Sequence, residues 1–95
     1  MDVRGPKPLG TPEQSTVVEW ARRQLEIARD IVDNPGGGLL FATQATGQVR
    51  AALAEQDDQR WSQVGQLLLD AEDAGVRRRY ERFRELVGEA LAKLS

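Results

Sequence analysis

Residues 71–83, Ala-Glu-Asp-Ala-Gly-Val-Arg-Arg-Arg-Tyr-Glu-Arg-Phe, decide how many helices this 95-residue protein contains. Downstream of Gly75, the apolar residues Val76, Tyr80, Phe83, Val87, Ala90 and Leu94 follow at spacings of 4, 3, 4, 3 and 4, with Leu86 and Leu91 beside them. That spacing holds side chains on one stripe of a helix. Upstream, Trp61, Val64, Leu67, Leu68 and Ala71 form another stripe. Extended by heptads, its register reaches Gly75 and Arg78, not Val76 and Tyr80. The apolar face therefore shifts near Gly75, which predicts a helix end at Ala74-Gly75 with the glycine at C′. One continuous helix from Asp58 to Leu94 is the alternative, leaving three helices in place of four.

Working toward the amino end, Gln56-Asp57-Asp58 reads as a turn, with either aspartate placed to cap the following helix. Before it, residues 39–55 form a helix that turns Phe41, Ala42, Ala45, Val49, Ala52 and Leu53 inward. Its inward residues are mostly small, and Thr43, Thr46 and Gly47 lower its intrinsic propensity, so it needs tertiary contacts to persist. The first helix opens with Thr11 as N-cap, Pro12 at the first helical position, and Gln14 completing a capping box. Val17, Val18, Ala21, Leu25, Ala28, Ile31 and Val32 line its apolar face, broadened by Trp20 and Ile27. Asn34-Pro35-Gly36-Gly37-Gly38 ends it. No segment alternates as a strand does. The expectation is an all-α, small antiparallel helical bundle over residues 12–95, preceded by an extended Pro/Gly arm at 1–11.

Composition excludes much chemistry. The protein has no cysteine and no histidine, so disulfides, thiolate nucleophiles, Cys/His zinc sites and histidine acid–base catalysis are out. The longest apolar stretches, Leu39–Ala42 and Ala51–Ala54, are too short to cross a bilayer. Met1-Asp2-Val3-Arg4-Gly5-Pro6 has no apolar core of a secretory signal, so a cytoplasmic location is expected.

Two further motifs carry no chemistry. The triglycine at 36–38 is followed by Leu39-Leu40, not by the lysine and hydroxyl of a phosphate loop, and is a connector. Six acidic residues against one basic residue over 55–75 give −5, with Asp70 and Asp73 on one face, but a solvated surface accounts for them. No cofactor, metal or small-molecule substrate is expected, and no enzymatic activity. Neither Trp20-Ala21-Arg22 nor Trp61-Ser62-Gln63 supplies the glycine of the Trp-x-Gly turn found in small secreted helical-hairpin proteins.

The most specific local feature is the run at 76–84, five basic residues against one acidic, which nearly cancels the acidic block within a net charge of −2. Arg77, Arg78, Arg79, Arg82 and Arg84 are the candidate contacts to a protein partner or to nucleic acid. Intrahelical pairs Arg77–Glu81, Arg82–Glu85 and Glu81–Arg84 are also available to them. Ala71-x-x-x-Gly75-Val76 imitates the opening of a helix-turn-helix, although Glu81 and Arg84 fall where that motif wants apolar residues. Trp20, Trp61, Tyr80 and Phe83 are candidate interface anchors, with core packing as their other use. Arg4, Pro6, Lys7, Pro8 and Leu9 make a candidate docking arm. Together these features suggest a non-enzymatic helical interaction module, a small structural or adaptor subunit that self-associates or joins a protein assembly. The alternative is a nucleic-acid-binding regulator or packaging component that uses Arg77–Arg84.

Overall fold

The computed structural model describes residues 14–94 and contains four helices: α1 (Gln14–Ile31), α2 (Gly38–Asp57), α3 (Ser62–Val76) and α4 (Tyr80–Lys93). Among the described residues there is no strand, and no helix is long and apolar enough to cross a membrane. Thr11 and Pro12 of the expected helix cap, and the arm at 1–11, lie outside the described residues. The four-helix version of the bundle is the one observed. Each helix packs on its sequence neighbours, and α4 closes back on α1 through a thinner seam. Short connections make neighbouring helices antiparallel, as expected for a small bundle.

Every helix contributes a buried stripe at three- and four-residue spacing. Ala21, Leu25, Ala28 and Val32 come from α1 and the residue just past it; Ala42, Ala45, Val49 and Leu53 come from α2. From α3 come Val64, Leu68, Ala71 and Ala74, and from α4 Phe83, Leu86, Val87, Ala90 and Leu91. Leu25, Leu53, Leu68 and Phe83 are completely buried. Removing each such side group from water stabilises the fold by roughly 1.5–3 kcal/mol. The many alanines between them let the helices approach closely.

At the α3–α4 junction the break comes as predicted, but its chemistry differs. Gly75 is not the left-handed residue beyond the helix; it is buried inside the last turn of α3. A Cβ there would stand 3.2 Å from Thr43 Cγ2 and 3.4 Å from both Leu39 Cδ1 and Phe83 Cδ1. Gly75 is therefore kept small by the packing of α2 and α4 against α3. The left-handed position falls on Arg78, with φ 61°, where Arg78 N–H donates to the Gly75 carbonyl (2.9 Å) and Arg79 N–H to that of Ala74 (2.8 Å). This is the paired bonding of a Schellman terminus, with arginine where glycine is usual. Val76, expected to begin the last helix's stripe, instead ends α3 and is 71% exposed. The stripe proper starts with half-buried Tyr80.

Two other junctions carry corrections. Neither Asp57 nor Asp58 caps α3, whose N-cap position is taken by Trp61 with no capping bond from its side group. Asp57 ends α2 and its Oδ1 accepts the Arg60 N–H at 3.1 Å, holding the turn instead. The α1–α2 connector turns through Gly36 and Gly37, with φ of 80° and 111°, a conformation that costs glycine little.

Helix α2 departs furthest from its expected orientation. Phe41, expected inward, is 39% exposed, while Thr46 is fully buried. The buried hydroxyl is satisfied within the helix, donating to the Thr43 carbonyl at 2.9 Å, and Thr43 Oγ1 donates in turn to Leu39 O at 3.0 Å. A threonine that bonds back to its own helix enters a core without an orphaned donor.

Candidate protein-interaction surface

The break between α3 and α4 divides the arginine run into residues with different jobs. Arg77 ends up at the C-cap of α3, and its Nε lies 3.1 Å from Asp73 Oδ2. The expected Arg77–Glu81 pair is absent from these contacts because residues 77–79 are not helical, so an i,i+4 spacing no longer joins one face. Arg82 pairs with Glu85 at 3.0 Å, as expected, and Glu81 approaches Arg84 at 3.8 Å. Arg84 leaves the exposed set altogether. It is partly buried, Nη2 lies 2.8 Å from Asp33 Oδ1, and Nε donates to the Arg29 carbonyl at 3.2 Å. Arg84 thus ties α4 to the end of α1. Within the run, only Arg78 and Arg79 carry no ion pair among the described residues.

The candidate anchors are unevenly available. Phe83 is completely buried and Trp61 is 6% exposed, so both belong to the core and neither offers a surface. Trp20 and Tyr80 are half-buried and pack against the core from its edge. Arg4, Pro6, Lys7, Pro8 and Leu9 lie outside the described residues. Among the acidic residues, Glu72 is bound by Arg50 at 3.0 Å across the α2–α3 interface, and Asp70 accepts from Gln66 at 3.0 Å. Among the described residues, no group of three or more carboxylates gathers where a metal ion would be held.

The surface that sequence reasoning passed over is the outer face of α2. Leu40 is 62% exposed, and Phe41, Gln44, Gln48 and Ala51 are exposed with it. Between Asp33 and Arg50 there is no charged residue at all. Arg50 itself is turned toward α3 and neutralised by Glu72. The outward positions of α1 and α4 are different, with Glu19, Arg23, Glu26 and Asp30 on α1 and Glu81, Arg82, Glu85, Glu89 and Lys93 on α4, and α3 exposes Asp70 and Asp73 in its second half. In a protein with 29% charged residues, one helix faces outward with none until Glu55. Depletion of charge together with exposed large apolar groups is the compositional mark of the centre of a protein interface. A helix apolar on several sides normally has neighbours on several sides. The readable signal was the uninterrupted neutral stretch from 34 to 49.

Compared with models of known protein families, with curated proteins and with solved structures, the protein matches none.

Proposed function

We propose that this protein is a non-enzymatic protein-interaction module, a small structural or adaptor subunit that works by presenting its helical surface to other protein. The observation that carries this reading is the uncharged outer face of α2, with Leu40 and Phe41 exposed at its start. Water solvates such a face poorly, whereas a partner of matching polarity recovers its apolar area. The arginine run supports the same reading by subtraction. Arg77, Arg82 and Arg84 are already engaged by Asp73, Glu85 and Asp33, which leaves little unpaired positive charge to neutralise a phosphate backbone.

The test is affinity purification from the native source with the wild type and with Ala51→Arg in parallel. The reading expects a stoichiometric protein partner, another copy of the same protein included, that is held by the wild type and lost by the variant. A wild type that stays monomeric and holds no protein overturns it. A nucleic-acid-binding role would rest on Arg78 and Arg79, the members of the run without carboxylate partners. Salt-sensitive retention of DNA or RNA, abolished by Arg78→Ala with Arg79→Ala, would favour it in place of the α2 reading.

A further inference from the structure

We infer that the partner on α2 is a second copy of this protein, bound through an antiparallel α2–α2 pair about a two-fold axis near Gly47 and Gln48. The inference rests on the interaction-module reading and names its occupant.

A face used in a two-fold dimer meets itself, so like charges near the axis repel each other. The outer face of α2 meets that condition as the outer faces of α1 and α4 do not. Gln44, Gln48 and Ala51 surround its middle, and no charged residue points outward among them. Glutamine amides both donate and accept, so Gln44 and Gln48 are compatible with their own copies across a dyad. Ala51 is small, which lets two helix backbones approach.

Direction follows from the ends of α2. Its N-cap is Gly37, which has no side group to cap with, and its first turn has no acidic residue. At its other end, Glu55 and Asp57 sit in a last turn that has no basic residue. The first turn lacks the anion that the helix dipole favours, and the last turn carries the charge it disfavours. An antiparallel pair centred between residues 47 and 48 corrects them together. It sets Glu55 of each copy beside Leu40 of the other, next to the uncapped N-terminal turn, and sets Gln44 against Ala51. A parallel pair places Glu55 against Glu55 and leaves both N-termini without an anion.

The size of the face sets the strength. Helix α2 is about 30 Å long at the standard helical rise. A single helix face of that length buries less than the roughly 800 Å² per partner of a standard interface, so a weak, concentration-dependent dimer is expected.

Sedimentation equilibrium of the purified protein from 1 μM to 1 mM reads the dimer directly. The expected result is a concentration-dependent dimer whose dissociation constant rises at least tenfold with Ala51→Arg and with Gln44→Arg, and is unchanged by Gln63→Arg on α3. All three positions are exposed, and circular dichroism confirms the fold of each variant. Because the protein has no cysteine, orientation is tested cleanly with a short bismaleimide. In a mixture, the Gln44→Cys and Ala51→Cys proteins link to each other, while Gln44→Cys alone does not. A wild-type monomer at 1 mM overturns the inference, as does a dimer indifferent to both arginine variants or one in which Gln44→Cys links to itself. A monomer that still binds another protein through α2 leaves the module reading standing; one that binds nothing removes both.

Discussion

Asp33 Oδ1 lies 2.8 Å from Arg84 Nη2, which joins the turn that follows α1 to the second turn of α4. The same guanidinium donates from Nε to the Arg29 carbonyl at 3.2 Å, one of the last carbonyls of α1 that has no partner further along the helix. Arg84 therefore caps the carboxyl end of α1 from a different helix. It braces the α1–α4 seam, the thinnest contact in the ring of helices.

That pair makes the acid limb of stability predictable in sign. The Arg84 hydrogen bond holds the Asp33 carboxyl below its ordinary 3.8; desolvation opposes it, and the Arg84 charge adds to the lowering. A carboxyl whose folded pKa is depressed stabilises the fold above its unfolded pKa and loses that contribution as pH falls through the folded value. Asp33→Asn is therefore expected to lower the thermal midpoint at neutral pH, with the deficit shrinking as pH falls below about 3.8 and through the lower folded value. Because Asp33 is half-exposed, 1 M salt should also shrink the deficit. Melting curves of both proteins across that range check it. Equal midpoints at neutral pH would show that the tie contributes nothing.

Arg78 occupies the left-handed position of the α3 terminus, where a residue bearing a Cβ costs about 1–2 kcal/mol relative to glycine. Glycine gives back part of that through its greater freedom in the unfolded state, about 0.5–1 kcal/mol. Arg78→Gly is thus expected to stabilise the protein by roughly 0.5 kcal/mol and raise the midpoint by a few degrees. Arg78→Val, β-branched at the same φ, should lower it. Calorimetry of the two variants gives opposite signs if the turn is as described. A destabilised glycine variant would mean that Arg78 makes a contact worth more than its strain.

The displacement of that turn also explains what the sequence could and could not disclose. A change of apolar register between Ala71 and Tyr80 was visible, so the number of helices was legible. The turn residue was not, because Gly75 reads as a terminus by composition but is needed inside the helix by Thr43, Leu39 and Phe83. Contacts across helices have no local signature. The same holds for α2, where threonines, alanines and glycines lie on several faces: Phe41, expected inward, is exposed, and Thr46 is buried. For the candidate surface, the arginine run drew the reading because it is a positive signal. The neutral stretch preceding Arg50 is the absence of one, and it acquires meaning only when α2 is seen to turn Leu40, Gln44 and Ala51 outward.

Two glycines test packing against propensity. Gly38 begins α2 directly beneath the end of α1, and a Cβ there collides with the Ile31 carbonyl, a backbone atom that cannot swing aside. Gly88 lies within α4 with nothing within 4 Å of the corresponding position. Gly38→Ala should destabilise by about 1–3 kcal/mol, as overpacking does. Gly88→Ala should stabilise by roughly 0.5–1 kcal/mol, because alanine gives up less backbone freedom on entering a helix. Urea denaturation separates the two. Loss of stability on Gly88→Ala would contradict the open space beside α4.

Trp61 carries the remaining energetic tension in the core. It is 6% exposed, Arg60 lies over its ring with Cζ 4.6 Å from the centroid, and its Nε1 is buried without a hydrogen-bond partner among the described residues. An orphaned buried donor costs about 1–3 kcal/mol in lost hydration. Trp61→Phe removes that donor while keeping most of the apolar ring, so the penalty for the smaller volume is offset by the N–H no longer stranded. The expected change is within about 1 kcal/mol of the wild type, whereas Trp61→Ala should lose about 3–5 kcal/mol through the cavity it leaves. Trp20, half-buried at the edge of the core, then becomes the sole indole and reports each unfolding transition by fluorescence. A loss above about 2 kcal/mol on Trp61→Phe would show that Nε1 has a partner in solution, with ordered water the natural candidate.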